Sequence, residues 1–326
     1  MKRYLILALA VGLATVLIPA AVYARAQRGA LRIPPETTAP ANPGEETVAV
    51  YMSDTGKTVT LPMREYVISA VAGEMPAVYE PEALKAQAAA SVTLTRYLQA
   101  KGPDASLGGA VISTDPKRHQ GYLSVEEMHR RWGEMFDEYY ARVSAAADAV
   151  LPYTVTYKGA PAVTAFHAVS SGVTETAENM WGKEIPYLVN CESVGDKLSP
   201  GYLSETVLTP GELAEKLGLP ETEDAPAHWA GEGTYSKAGT LMKIRICGKA
   251  FTGADLREAL SLRSAAVKLK FDGESFVLSV TGYGHGVGMS QYGADYYARQ
   301  GYTWREIIEH YYPGTEICES SFSPLR

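Results

Sequence analysis

Thirteen residues near the end of the chain, Gly282-Tyr283-Gly284-His285-Gly286-Val287-Gly288-Met289-Ser290-Gln291-Tyr292-Gly293-Ala294, hold five glycines around one histidine and one glutamine. Glycine loses more backbone freedom on folding than any other residue, so such a run is costly unless backbone must lie close against something. The run therefore implies a fold that presents His285 and Gln291 beside closely approached backbone. It does not fit the phosphate-binding patterns, because it has no Gly-Lys-Ser/Thr ending and no G-x-G-x-x-G opening a βαβ unit. Taken with a distant upstream segment, Gly73-Glu74-Met75-Pro76, it becomes a far more specific signal.

The rest of the chain alternates helical and strand-like patterns. Val48, Val50 and Met52 alternate with Ala49 and Tyr51 and predict a first strand. Pro62 suits the first turn of a helix whose apolar face is Met63, Tyr66, Val67, Ala70 and Val71, with Gly73 as its stop. A second helix is predicted from Pro81 to about Ala100, with Leu84, Ala88, Ser91, Thr95 and Leu98 along one side. A third is predicted from Ser124 to Tyr139 or beyond, with Ser124 and Glu127 forming a capping box. Thr154–Tyr157, 162–166, 241–246, 266–271 and 275–281 read as strands, and 292–299 and 303–310 as closing helices. The stretch 199–240 reads either as an insertion on the substrate side or as an ordinary subdomain. There are no internal repeats, and the mixture predicts an α+β fold.

Lys2 and Arg3 precede 21 uncharged, largely apolar residues, Tyr4 to Ala24, a length that crosses a bilayer as a helix. Residues 1–25 are thus expected to be a membrane anchor. A cleaved signal is the alternative, with Val22-Tyr23-Ala24 and Ala24-Arg25-Ala26 as candidate cleavage sites. Residues 26–46 carry Pro34, Pro35, Pro40 and Pro43 and read as a tether, leaving 47–326 as the folded domain, outside the cytoplasm. The formal net charge of −7, with no basic tract, excludes a general nucleic-acid binder. Cys191, Cys247 and Cys318 form no C-x-x-C pair, which speaks against a zinc knuckle; one disulfide with a leftover thiol stays open. The six histidines show no H-E-x-x-H pattern, which disfavours a zinc peptidase or amidase.

Four segments, in this order, resemble one known family. They are Glu65-Tyr66-Val67 through Gly73-Glu74-Met75-Pro76 to Glu82-Ala83-Leu84-Lys85-Ala86-Gln87-Ala88; Phe166-His167-Ala168-Val169-Ser170-Ser171-Gly172 with Thr174-Glu175, Trp181-Gly182 and Pro186-Tyr187-Leu188; the glycine-rich run; and His310-Tyr311-Tyr312-Pro313-Gly314-Thr315. The chain from about Thr47 to Thr315 resembles the SpoIID/LytB family of peptidoglycan lytic transglycosylases, the stage II sporulation protein D group. The resemblance implies a SpoIID-type catalytic domain with N-terminal helices carrying the acid, a β-rich remainder, and one transmembrane helix in front. There are departures. The family's Ala-Arg-Thr-Tyr is Ser91-Val92-Thr93-Leu94 here, so the role of that arginine is absent or supplied elsewhere. Its Ser-Gly-Gly is Ser170-Ser171-Gly172, followed by Val173. Some relatives carry a Cys/His zinc cluster after the second helix, where this chain has only His119 and His129, so no structural zinc is expected.

The resemblance makes Glu74 the general acid/base. A helix C-terminus beside it and the uncharged neighbours Gly73, Met75 and Pro76 both act to raise its pKa; a surface glutamate at a helix end is the plain alternative. As the family mechanism implies, the acid protonates the MurNAc–GlcNAc oxygen, then accepts the proton of the MurNAc C6 hydroxyl as it closes onto C1, leaving 1,6-anhydroMurNAc. Asp115, Glu175 and Asp196 are other carboxylates, none an obvious second partner. His167 with Ser170 or Ser171 suggests a nucleophile and base. Without a G-x-S-x-G elbow, these residues read instead as groove lining for sugar hydroxyls, or as strand-end polar groups. His285 and Gln291 read as substrate-side groups, with His285 positioning substrate, bonding Glu74, or tying down its loop. Tyr283 and Trp181 read as sugar-stacking aromatics or as core, and His310 as structural. The resemblance further implies peptide-stripped glycan as substrate, engulfment during sporulation as setting, and the space between two membranes as location. It implies a partner amidase (stage II sporulation protein P), a membrane scaffold (stage II sporulation protein M) and no cofactor. A glycan-binding enhancer of an amidase is the alternative function.

Overall fold

The computed structural model of the chain describes residues 45–320. The expected anchor, and all of the expected tether except Glu45 and Glu46, lie outside the described residues; within them no helix is long and apolar enough to cross a membrane. Helices and strands are mixed along the chain, as an α+β fold requires. A hairpin of Thr47–Met52 and Lys57–Pro62 leads into α1 (Met63–Glu74) and α2 (Pro81–Lys101). Beyond a short parallel strand, Ile112–Ser113, come α3 (Val125–Trp132) and α4 (Phe136–Val150). Tyr153–Tyr157 turns through Lys158-Gly159 into Ala160–Pro161 and is flanked on its other side by Glu316–Glu319. α5 (Ala177–Trp181) follows the strand Phe166–His167.

α2 is the axis of the first hydrophobic core. Ala83, Leu84, Ala86, Ala88, Ala89, Ala90 and Val92 are buried around its circumference, which an alanine-rich helix permits because neighbours approach closely on every side. α1, α4 and the last two helices pack on it. Gly73 does not stop α1, which continues through it to Glu74. A Cβ at Gly73 would lie 2.6 Å from the Tyr122 backbone nitrogen, so glycine is required for close approach and not for a turn. The expected third helix is two helices. Gly133, with φ +52, starts a 3-10 turn between α3 and α4. Ser124 caps α3 by accepting from the Glu127 N–H, but the Glu127 carboxylate turns to Arg130 and Arg131 instead of closing a box. The expected 162–166 strand shrinks to Phe166–His167, because its earlier polar groups bond elsewhere: Val163 N–H to the Tyr187 hydroxyl and the Thr164 hydroxyl to the Ala90 carbonyl.

A second core, from Leu208 to Val280, is built by α6 (Pro210–Leu217), α7 (Gly253–Ala259) and two three-stranded sheets. The stretch 199–240 supplies only its first part. The strand Leu203–Leu208 lies within that stretch, whereas Leu241–Ile246, Val267–Phe271 and Phe276–Thr281 lie beyond it. The chain enters and leaves this lobe side by side, for the Gly282 N–H donates to the Tyr202 carbonyl at 2.7 Å. It then re-enters the first core through α8 (Gln291–Arg299) and α9 (Trp304–Tyr311).

The family's helix-α2 arginine is replaced by fully buried Val92, and one turn further on stands Arg96. Arg96 pairs with both oxygens of Glu46, at 3.0 and 2.6 Å, and donates to the Leu151 and Tyr153 carbonyls and the Thr154 hydroxyl. This pair fixes the point where the chain enters the domain. Arg96→Met is expected to strand Glu46 and two carbonyls, at a cost of about 3 kcal/mol, read as a lowered urea midpoint. An unchanged midpoint would show that Arg96 is not a clamp.

Candidate active site

Glu74 is the last residue of α1, and Met75 N–H closes the final turn on the Val71 carbonyl at 2.9 Å. The segment 120–123 runs back along this helix, with Leu123 N–H on the Ser69 carbonyl at 3.0 Å. That contact brings the Gly121 N–H onto Glu74 Oε1. From the far end of the sequence, α8 starts at Gln291, whose Nε2 donates to Glu74 Oε2 at 3.3 Å. One carboxyl is thus held by two uncharged donors from segments 47 and 217 residues away. Burial raises the Glu74 pKa above the usual carboxylate range, and the donors Gly121 and Gln291 partly offset that rise. A half-buried carboxyl that keeps its proton to higher pH and has donors ready to receive its anion is suited to general-acid work.

None of the other substrate-side candidates hydrogen-bonds Glu74. His167 is buried, its Nδ1 on the Val287 carbonyl at 3.1 Å and its Nε2 without a partner; burial pushes its pKa down to about 3. His285 accepts the Val287 N–H on Nδ1 at 3.0 Å and bonds the Phe166 backbone. Burial, reinforced by Arg257, lowers its pKa to about 4. Its Nδ1 bond lies within its own loop, and it does not hydrogen-bond Glu74. Ser170 is buried, its N–H on Asp196 at 2.8 Å and its hydroxyl accepting from Gly172 N–H. The Ser171 hydroxyl donates to the carbonyls of Ala238 and Val173. None of these groups pairs a serine with a histidine. Tyr283 and Trp181 are exposed aromatics: Arg263 lies 4.6 Å over the Tyr283 ring, and Trp181 stands 5.5 Å from His285.

Three of these residues, Ser170, Ser171 and His285, line one crevice. The crevice is also lined by Glu175, Thr240 and Ser264 and has room for about one water. Glu175 bridges it. Its Oε1 accepts from Thr176 N–H and Asn179 Nδ2, each at 2.8 Å, and its Oε2 accepts from the Ser236 hydroxyl. Burial raises its pKa, but the donors Ser236, Thr240, Asn179 and Thr176 outweigh that and hold it low. Asp196 accepts from Ser170 N–H and from the Ser290 hydroxyl at 2.7 Å, and burial dominates to raise its pKa. Asp115 accepts from Lys117 N–H within its own turn. All three carboxylates are occupied by their own donors, and none hydrogen-bonds Glu74. Among the described residues no cluster of three or more His, Cys, Asp or Glu converges as a metal would need, and the three cysteines are free thiols.

The glycines of the C-terminal run approach the protein itself. A Cβ at Gly288 would fall 2.0 Å from the Ala165 carbonyl oxygen, and one at Gly284 would fall 2.8 Å from the His167 Cβ. Met289–Ser290 pairs in parallel with Phe166–His167, and the Tyr292 N–H reaches the Ala168 carbonyl. The run is therefore packed into the 165–169 segment, and this packing delivers Gln291 to Glu74.

The family model described as SpoIID, stage II sporulation protein, matches residues 51–157. The chain is 35% identical to stage II sporulation protein D of Bacillus subtilis (strain 168), over 87% of this chain and 84% of the relative. It is 36% identical to stage II sporulation protein D of Bacillus amyloliquefaciens, over 84% of this chain and 79% of the relative. A more distant relative, 24% identical over 76% of this chain and 39% of its own length, is an amidase enhancer of Bacillus subtilis (strain 168).

Proposed function

The chain belongs to the SpoIID family of stage II sporulation proteins, and from that premise we propose that it is a lytic transglycosylase of peptide-stripped peptidoglycan with Glu74 as its acid/base. The observation that carries the reading is the Glu74 carboxyl, proton-retaining through burial and gripped by Gly121 and Gln291. The Glu74 proton passes to the glycosidic oxygen as the MurNAc C1–O bond breaks, and GlcNAc leaves with a free hydroxyl. The Gly121 N–H and Gln291 amide stabilise the carboxylate that remains. That carboxylate takes the proton of the MurNAc C6 hydroxyl while C6–O closes on C1. The cycle ends with Glu74 protonated again, a 1,6-anhydro end formed and no water consumed, so one carboxyl suffices. A hydrolase would need a second, and Asp115, Glu175 and Asp196 are each held by other donors.

In this reading residues 1–25 anchor the protein and the domain works between the two membranes of a sporulating cell during engulfment. An amidase (stage II sporulation protein P) prepares the glycan, and a membrane scaffold (stage II sporulation protein M) holds the complex. The relative named as an amidase enhancer supports the second reading, a glycan-binding partner that stimulates an amidase without cutting. Incubating the full chain with peptide-free glycan strands and weighing the products separates the readings. Anhydro ends are expected; water-added ends would mean a hydrolase, and binding without cleavage would leave the enhancer.

A further inference from the structure

Helix α2 carries a buried polar seam. Gln87, Ser91 and Thr95 recur at four-residue spacing on a helix whose buried residues are mostly alanine, leucine and valine, and all three are fully buried. Burying three polar side chains in an apolar core costs free energy unless each is hydrogen-bonded, so the seam calls for an explanation beyond packing. Its bonds lead to the carboxyl. Gln87 Oε1 accepts from Gln291 Nε2 at 3.2 Å, and Gln87 Nε2 donates to the Ser91 hydroxyl at 3.2 Å. The Thr95 hydroxyl donates to the Ser91 carbonyl and lies 3.4 Å from Gln120 Nε2, which also donates to the Tyr66 hydroxyl at 2.9 Å. Gln120 in turn precedes Gly121, the other donor on Glu74. The seam therefore runs under the carboxyl from one of its donors to the other.

A glutamine side-chain amide is nearly symmetric in shape, so packing alone does not decide which end faces a neighbour. At Gln291 the choice matters, because the NH2 stabilises a carboxylate and the carbonyl repels one. We infer that Gln87 is a positioning residue for the proposed reaction: its own NH2 donates to the Ser91 hydroxyl, while its amide oxygen holds Gln291 with the NH2 toward Glu74. The two protons of that NH2 go to Gln87 Oε1 and Glu74 Oε2, leaving no wrong-way orientation that satisfies both acceptors. The inference rests on Glu74 being the acid for its functional meaning, while the hydrogen-bond relay is testable apart from turnover. The groups that touch Glu74 from α8 and from the 120–122 segment, Gln291 and Gly121, carry no charge. The titratable neighbours are the buried Tyr66 phenol on α1, which feels the Glu74 charge, and Tyr122 stacked on it.

The test follows the Glu74 carboxyl by NMR in the full chain labelled at glutamate carboxyl carbons, its resonance assigned by its loss in Glu74→Gln. Gln87→Met keeps the volume but frees Gln291 to rotate. The Glu74 titration midpoint is expected to rise by about one pH unit, the scale of one weak hydrogen bond to a charge. Gln291→Met is expected to give the same rise, and the double variant no more than either, as two links of one relay require. A folded Gln87→Met with an unmoved midpoint, or a double variant whose shifts add, overturns the inference. Ser91→Ala, a one-atom deletion among alanines, guards against misfolding of the first variant. It is expected to move the midpoint the same way by less, and no movement counts against the relay. Turnover retained by Glu74→Gln would remove the acid reading and leave the relay result standing.

Discussion

Glu74→Gln is expected to keep the fold and glycan binding while cleavage falls by about 10²–10⁴-fold, the usual contribution of a positioned general acid. The substitution is isosteric, so the Gly121 N–H can still bond an oxygen at that position; the new NH2 then faces the Gln291 NH2 and loses that bond, and the main loss is of the transferable proton. The pH dependence sharpens the test. Because burial raises the Glu74 pKa, the acid form persists above the ordinary carboxylate range, and wild-type kcat/KM should decline only as pH rises through that raised value. The residual activity of Glu74→Gln should lack this limb. Stability follows the same linkage. A carboxyl whose folded pKa lies above its unfolded value of about 4.3 weakens the fold progressively as pH rises from that value through the folded one. Wild type should therefore lose stability relative to Glu74→Gln over that interval. Undiminished turnover by the variant would remove Glu74 as the acid, and a matching loss of glycan binding would point to a binding role.

The second large effect is on the fold. Gly288→Ala is expected to destabilise by about 3 kcal/mol or more, summing a left-handed backbone strain of 1–2 kcal/mol with a collision that must displace backbone. Gly288 has φ +73, and an added Cβ would meet the Ala165 carbonyl oxygen at 2.0 Å. That oxygen accepts from both Met289 N–H at 3.0 Å and the Tyr312 hydroxyl at 2.7 Å, so moving it disturbs two further bonds. Gly301→Ala is the control: φ there is +91, but nothing lies within 4 Å of the added carbon, so only about 1 kcal/mol is expected. Urea midpoints compare the two. Equal losses would mean that the close approach at Gly288 is not what its glycine serves. Because Gln291 lies three residues on, Gly288→Ala should also reduce cleavage in whatever fraction stays folded.

Much of the helical framework was legible because it depends on local signals. Apolar spacing and caps located α1, α2, α8 and α9 to within a residue or two of where they fold. Glu74 and Gln291 both stand out in the sequence as candidates, yet their contact does not, because nothing local links positions 217 residues apart. The glycine run was read as backbone close to something, which it is, but what it approaches is the 165–169 segment of the same chain. His167, Ser170, Ser171 and His285 carry the residue types of a binding groove. Their polar groups bond backbone groups and Asp196, with His167 Nε2 left unpartnered, and such bonds are not legible locally because buried polar side chains serve structure and recognition with the same atoms. Gln87 could have been found from sequence. Three polar residues at four-residue spacing on an alanine helix mark a buried network, but Ser91 and Thr95 read simply as small residues on a packing face.

The doorway between Tyr202 and Gly282 has a further consequence. A lobe that begins and ends at one hydrogen bond is topologically a side loop, however large. Lengthening, trimming or rebuilding it changes the closure entropy only logarithmically and leaves the threading of the first core untouched. The parts that hold Glu74 come from α1, the 120–122 segment and α8, all outside that loop. The architecture thus separates two kinds of inheritance: a fixed chassis that keeps the carboxyl in its grip, and an interchangeable attachment free to diverge in sequence and size.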